Sequence, residues 1–84
     1  MEEYDDTLEK LYAEINAIDD DIINALNARM DLCYEANQYR RNNGLSTYDI
    51  DREMEVEDRL EPKSNYTNMV TDVYKAIFKY ARTL

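Results

Sequence analysis

Along the first half of the chain, one set of positions recurs at alternating steps of three and four: Leu8, Leu11, Ile15, Ile18, Ile22, Ala25, Arg29, Leu32, Ala36 and Tyr39. That repeat draws a single apolar seam down one face of a helix. Nothing interrupts it before Asn42-Asn43-Gly44, where the only glycine of the chain supplies a C-terminal stop. The pattern predicts one helix of about 38 residues, about 57 Å long at ~1.5 Å per residue. A compact globule of this chain length has a radius of gyration of about 12 Å, so such a rod cannot lie inside it. The residues that remain cannot cover the seam. The expected remedy is a second copy, with the two long helices packed together in a homodimer.

The second half predicts two shorter helices. Asp49 is placed to cap a helix over 50–60, with Asp51 in its first turn and Pro62 ending it. Arg52, Val56 and Leu60 fall on one face of that helix at i, i+4 and i+8. Ser64 or Thr67 can cap a third helix, whose seam reads Tyr66, Met69, Val70, Val73, Tyr74, Ile77, Phe78, Ala81 and Leu84. The fold class expected is all-α: long, short and medium helices in one domain spanning residues 1–84. The acidic start, Glu2-Glu3-Tyr4-Asp5-Asp6, complements the helix dipole, and residues 1–7 are expected to fray.

Composition narrows the chemistry. A net charge of −9 and a pI near 4.3 argue against nucleic acid and anionic membrane as partners. Cys33 is the only cysteine and histidine is absent, which disfavours zinc sites and histidine-based triads; no metal or cofactor is expected. With no apolar run of membrane-spanning length, the cytoplasm is the expected compartment. Cys33 reads as a small buried hydrophobe and the seam tyrosines as packing. Asp19-Asp20-Asp21 reads as a solvated face, because consecutive helix positions diverge by about 100°.

Against this acidic background, Arg29, Arg40, Arg41 and Arg52 crowd one stretch. Arg29 stands in the apolar seam, where an unpaired guanidinium is costly. Either it sets the helix register and pairs with an acidic neighbour, or it marks an anion site between helices. Arg40 lies 11 residues further on, which returns it to within about 20° of the same azimuth, about 16 Å along the axis. Arg41 points about 100° away, toward solvent. If the second helix folds back, Arg52 joins Arg29 and Arg40 in one pocket for a small polyanion. Asp49 and Glu53 can orient those guanidinium groups or accept a ligand hydroxyl.

The stretches LYAEINAIDDDIINALNARMDL and YRRNNGLSTYDIDREMEV, followed by NYTNMVTDVYKAIFKYARTL, resemble the all-helical chorismate mutases, with the last stretch closest to clostridial-type members. The resemblance covers about residues 8–84. It implies an intertwined dimer of three-helix subunits that rearranges chorismate to prephenate, an isomerase step of the shikimate pathway toward aromatic amino acids. By position, Arg29 matches the arginine that holds a substrate carboxylate. Arg40 falls where the family has a lysine that reaches a carboxylate and the ether oxygen. Asp49 and Glu53 match residues that bind the substrate hydroxyl, and Arg52 matches a further pocket arginine.

Besides Arg40 in place of lysine, three positions depart from that pattern. Tyr12 stands where the family has an arginine that reaches into the partner's site. Ala81 stands where a serine is usual, and the third-helix glutamine would fall one place beyond Leu84. Arg29 and Arg40 are therefore the expected catalytic residues, with Arg29, Arg52, Asp49, Glu53, Tyr12 and Ala81 as expected substrate-binding positions. Two other readings stay open: a non-catalytic or redirected relative with the same dimeric fold, and a purely structural helical dimer.

Overall fold

A computed structural model describes residues 6–84. Helix α1 runs Asp6–Asn42, α2 Ile50–Leu60 and α3 Met69–Ala81, with a 3₁₀ turn over Glu61–Lys63 between the last two. Among the described residues there is no strand. The expected fraying of residues 1–7 concerns in part residues 1–5, which lie outside the described residues; Asp6 and Thr7 already belong to α1.

Helix α1 forms for the reasons its sequence supplies. Asp6 and Glu9 in its first turn, and Arg40 and Arg41 in its last, complement the macrodipole. Its end is a Schellman closure. Gly44 takes φ +69°, its N–H donates to the Arg41 carbonyl at 3.4 Å, and the Leu45 N–H donates to that of Arg40 at 2.7 Å. The left-handed turn reverses the chain toward α2. There the Asp49 side chain accepts the Arg52 backbone N–H at 3.1 Å and caps the helix as its position predicts.

The start of α3 differs from expectation. Neither Ser64 nor Thr67 caps it; Asn68 holds the cap position, in the left-handed region at φ 63°, and its side chain makes no cap hydrogen bond. Asparagine tolerates that conformation better than most residues with a Cβ. Ser64 instead closes a local turn, its Oγ donating to the Tyr66 carbonyl at 2.9 Å and accepting the Tyr66 N–H at 3.1 Å. Tyr66 is therefore outside the helix and exposed, and Leu84 lies past its end.

The core of the single chain is small. Val56 of α2 packs with Val70, Phe78 and Ala81 of α3, and the buried member from α1 is polar, Asn37. The stripe of α1 facing the other helices runs through Arg29, Cys33, Asn37 and Arg40. Leu32, Ala36 and Tyr39, which continue the predicted seam, stay exposed on the single chain. The apolar N-terminal half of α1 is exposed as well, Ile18 at 57%. On α2 the inward charge is Glu53, with a side chain 12% accessible, whereas Arg52 is 53% accessible. The expectation that Arg52 occupies the buried face is thus corrected: Val56 is buried, but the fork of Arg52 is drawn outward by Glu55 at 2.8 Å. The radius of gyration is 17.3 Å, against about 12 Å for a compact chain of this length.

Val56 tests this core. Val56→Ala removes two methyl groups from a side chain 2% exposed. It is expected to cost about 2 kcal/mol of unfolding free energy. Urea titrations of both proteins at one protein concentration measure the difference.

Candidate active site

Where the end of α1, the start of α2 and the end of α3 meet, a cavity of about 60 Å³ opens to the surface. Helix α1 contributes Arg29, Cys33, Asn37 and Arg40, the α1–α2 connection Thr47 and Asp49, and α2 Arg52, Glu53 and Val56. Phe78, Ala81 and Arg82 close it from α3 and its cap. Four guanidinium groups against two carboxylates leave a formal +2 in a chain of net charge −9. That is the balance a small dianion requires.

Asn37 holds the assembly together. Its side chain is 1% exposed, and its Nδ2 donates to the carbonyls of Ala81 at 2.9 Å and Leu84 at 3.2 Å. Those oxygens lie at the end of α3; that of Ala81 also accepts the Leu84 N–H at 3.2 Å, and that of Leu84 a guanidinium N–H of Arg41 at 2.9 Å. Its Oδ1 accepts Arg40 Nη1 at 2.8 Å. One amide thus joins α3 to α1 and aims a pocket arginine, whose Nη2 lies 3.9 Å from Asp49 Oδ2.

The other cations are held less tightly or differently. The Arg29 guanidinium lies 5.6 Å from the ring centre of Tyr74 and 5.7 Å from that of Phe78, and its Nη1 approaches Cys33 Sγ at 3.4 Å. Aromatic faces and a thiol steady the group while leaving its charge uncompensated by a carboxylate among these contacts. Cys33 is half-buried at the cavity wall rather than enclosed in the core. Arg82 makes a forked pair with Glu53, Nε to Oε2 at 2.8 Å and Nη2 to Oε1 at 2.6 Å, and those hydrogen bonds raise its pKa further above its already high value.

Of the positions expected from the sequence, Arg29, Arg40, Arg52, Asp49, Glu53 and Ala81 all line this cavity. Tyr12 does not; it lies far up α1, about half exposed. Arg41 lies outside the cavity as expected, but it is more than solvated: its Nη1 donates to the Leu84 carbonyl at 2.9 Å. Sequence reasoning missed Asn37, Thr47 and Arg82. Asn37 carried a signal, because Arg29, Cys33, Asn37 and Arg40 follow one another at helical spacing. Arg82 carried a fainter one, four residues after Phe78 on the same face.

The family model of chorismate mutase type II matches residues 11–84. The chain therefore belongs to the chorismate mutase type II family, and its all-helical three-helix fold is consistent with that membership. No curated protein and no solved structure matches it. Among the described residues no helix is long and apolar enough to cross a membrane.

The Asn37 bridge makes a direct prediction. Asn37→Ala removes the buried donor shared by the Ala81 and Leu84 oxygens, which keep the Leu84 N–H and Arg41 Nη1 respectively, and is expected to cost about 0.5–1.5 kcal/mol of stability. Asn37→Asp sets a carboxylate against the same two carbonyl oxygens and is expected to cost more. Thermal and urea unfolding of the two variants, run side by side, gives the order.

Proposed function

We propose that this chain is a chorismate mutase that rearranges chorismate to prephenate as a homodimer. The observation that carries the reading is the cavity of formal charge +2, lined by Arg29, Arg40 and Arg52, in a chain of this family. The reaction is a unimolecular pericyclic shift: the ether C–O bond breaks as a C–C bond forms, with no net proton transfer and no nucleophile. Acceleration then comes from holding the two carboxylates so that the substrate folds into a chair, and from donors fixed where charge develops on the ether oxygen. Even the low end of enzymatic acceleration corresponds to about 8 kcal/mol.

Arg29 holds one substrate carboxylate in this reading, and its aromatic seat keeps its fork free for that task. Arg40, steadied by Asn37, reaches a carboxylate and the ether oxygen. Asp49 and Glu53 accept the substrate hydroxyl. Arg52 turns inward to complete the site. An exposed ion pair such as Arg52–Glu55 is worth only about 0.2–1 kcal/mol, so a dianion competes for it easily.

Dimerisation is supported by surface. The accessible area is 6821 Å² for 10.0 kDa, roughly 1,600 Å² more than the about 5,200 Å² of a compact monomer of that mass. An apolar groove of about 350 Å³ between Ile22, Ala25 and Leu26 of α1 and Met69, Val73 and Ile77 of α3 adjoins the active-site arginine, Arg29. A second α1 laid along it covers the exposed seam and brings Tyr12 toward the other site. The cytoplasm is the compartment that suits this activity.

A second reading, a relative that binds the dianion without turning it over, is favoured by Tyr12 and Ala81, which stand in place of an arginine and a serine. A spectrophotometric assay of chorismate loss separates the two, since the second predicts no turnover above background at high protein concentration. On the first, Arg29→Ala lowers kcat/KM by about 10- to 150-fold, the equivalent of one charge-assisted contact. Tyr12→Arg raises turnover. Sedimentation equilibrium returns twice the 10.0 kDa of the single chain; a compact monomer there contradicts the dimer.

A further inference from the structure

Arg82 has no role in the reading above, yet it borders the cavity and is held more firmly than any of the three arginines assigned to the ligand. Its backbone follows directly on α3, its N–H donating to the Phe78 carbonyl at 3.0 Å. Its guanidinium carbon lies 4.2 Å from the ring centre of Tyr48, so one face of the fork is stacked. The edge of the fork meets both oxygens of Glu53, at 2.8 and 2.6 Å. Tyr48 precedes the α2 cap Asp49, and Glu53 lies in the first turn of α2. Arg82 therefore ties the end of α3 to the start of α2 at the wall of the site.

The geometry has a consequence for Glu53. A carboxylate offers two lone pairs on each oxygen, and a forked guanidinium uses one on each. The remaining pair on each oxygen stays available to another donor. The orientation of Glu53 is fixed, because its side chain is only 12% accessible and both its oxygens meet a partner that sits in a stacked seat. Without Arg82, Glu53 is a desolvated carboxylate lacking its counter-charge. It then has reason to swing toward the ligand arginines and leave the direction from which a hydroxyl is recognised.

We infer that Arg82 is a positioning residue that holds the carboxylate of Glu53 toward the ligand hydroxyl, so that the site selects hydroxyl-bearing dicarboxylates over otherwise identical ones. This rests on the proposed role of Glu53 in the chorismate site. Arg82 acts through Glu53 in this arrangement: its Nε–Nη2 edge meets the carboxylate and one of its faces meets Tyr48. The three remaining guanidinium groups face the two carboxylates.

The test compares two probes on the full chain: a bicyclic ether dicarboxylate carrying a hydroxyl, and the same compound lacking it. Calorimetric titration gives the affinity of each for the parent protein, Arg82→Ala and Arg82→Lys. The parent is expected to prefer the hydroxylated probe. Arg82→Ala reduces that preference by about tenfold or more, the size of a hydrogen bond to a charged group; the lost positive charge weakens both probes alike, so the ratio of their affinities is the readout. Arg82→Lys keeps the charge but not the fork, and the preference falls by a smaller factor. If Arg82→Ala does not fold, Arg82→Lys alone decides, and an unchanged preference there overturns the inference. Equal loss for both probes in either variant also overturns it, because it makes Arg82 a direct anion contact or a general support of the fold. A parent that binds neither probe removes the chorismate reading itself, and the role of Arg82 with it; a parent that binds both equally removes the role of Glu53 but not the anion site.

Discussion

Helix α1 is 37 residues long in a chain of 84, and the rest of the structure follows from that disproportion. The 24 residues of α2 and α3 cannot line a rod whose length sets the 61 Å long axis of the molecule. They gather at its C-terminal end, so the described core lies there and the apolar N-terminal half of α1 carries no cover from its own chain. An apolar face so extended is costly to leave open to water. The excess of exposed surface and the groove beside Arg29 are two expressions of this one mismatch, and both point to a second rod as the natural complement.

The same disproportion explains why the meeting place of the helices is polar. Three helix termini converge there, each with unsatisfied backbone groups. The chain satisfies them with side chains: Asp49 at the start of α2, Asn37 and Arg41 at the end of α3. Having polar groups in this wedge, it can also keep cations in it. The partners of those cations differ in strength, and the differences sort them. Arg82 is forked to a shielded carboxylate, while Arg52 rests on an exposed glutamate. Arg29 rests on aromatic rings, and Arg40 on a neutral amide with a carboxylate at 3.9 Å. In the proposed reading the loosely compensated three meet the dianion, whereas Arg82 is committed to Glu53.

Much of this was legible beforehand, and for definable reasons. The unbroken three-and-four spacing together with Gly44 defined α1 and its end, because helix continuity and a left-handed stop are local properties. Asp49 and Pro62 bracketed α2 for the same reason. The site positions Arg29, Arg40, Arg52, Asp49, Glu53 and Ala81 came from periodicity and from resemblance to the family, and all border one cavity. The start of α3 differs from expectation: Ser64 and Thr67 are the expected caps, but the helix begins after Asn68, because Ser64 is taken up by a local turn at Tyr66.

What the sequence determined by itself was therefore everything governed by neighbours along the chain: helix type, helix ends, the acidic background and the azimuth shared by Arg29 and Arg40. What only the tertiary structure decided was which polar groups face each other across helices. The inward turn of Glu53, the outward turn of Arg52, the bridge from Asn37 to the carbonyls of Ala81 and Leu84, and the fork between Arg82 and Glu53 join residues 29 to 47 positions apart in the long-range cases. Spacing in one helix fixes direction around its own axis. It does not say where a second helix crosses, and these contacts exist only at that crossing.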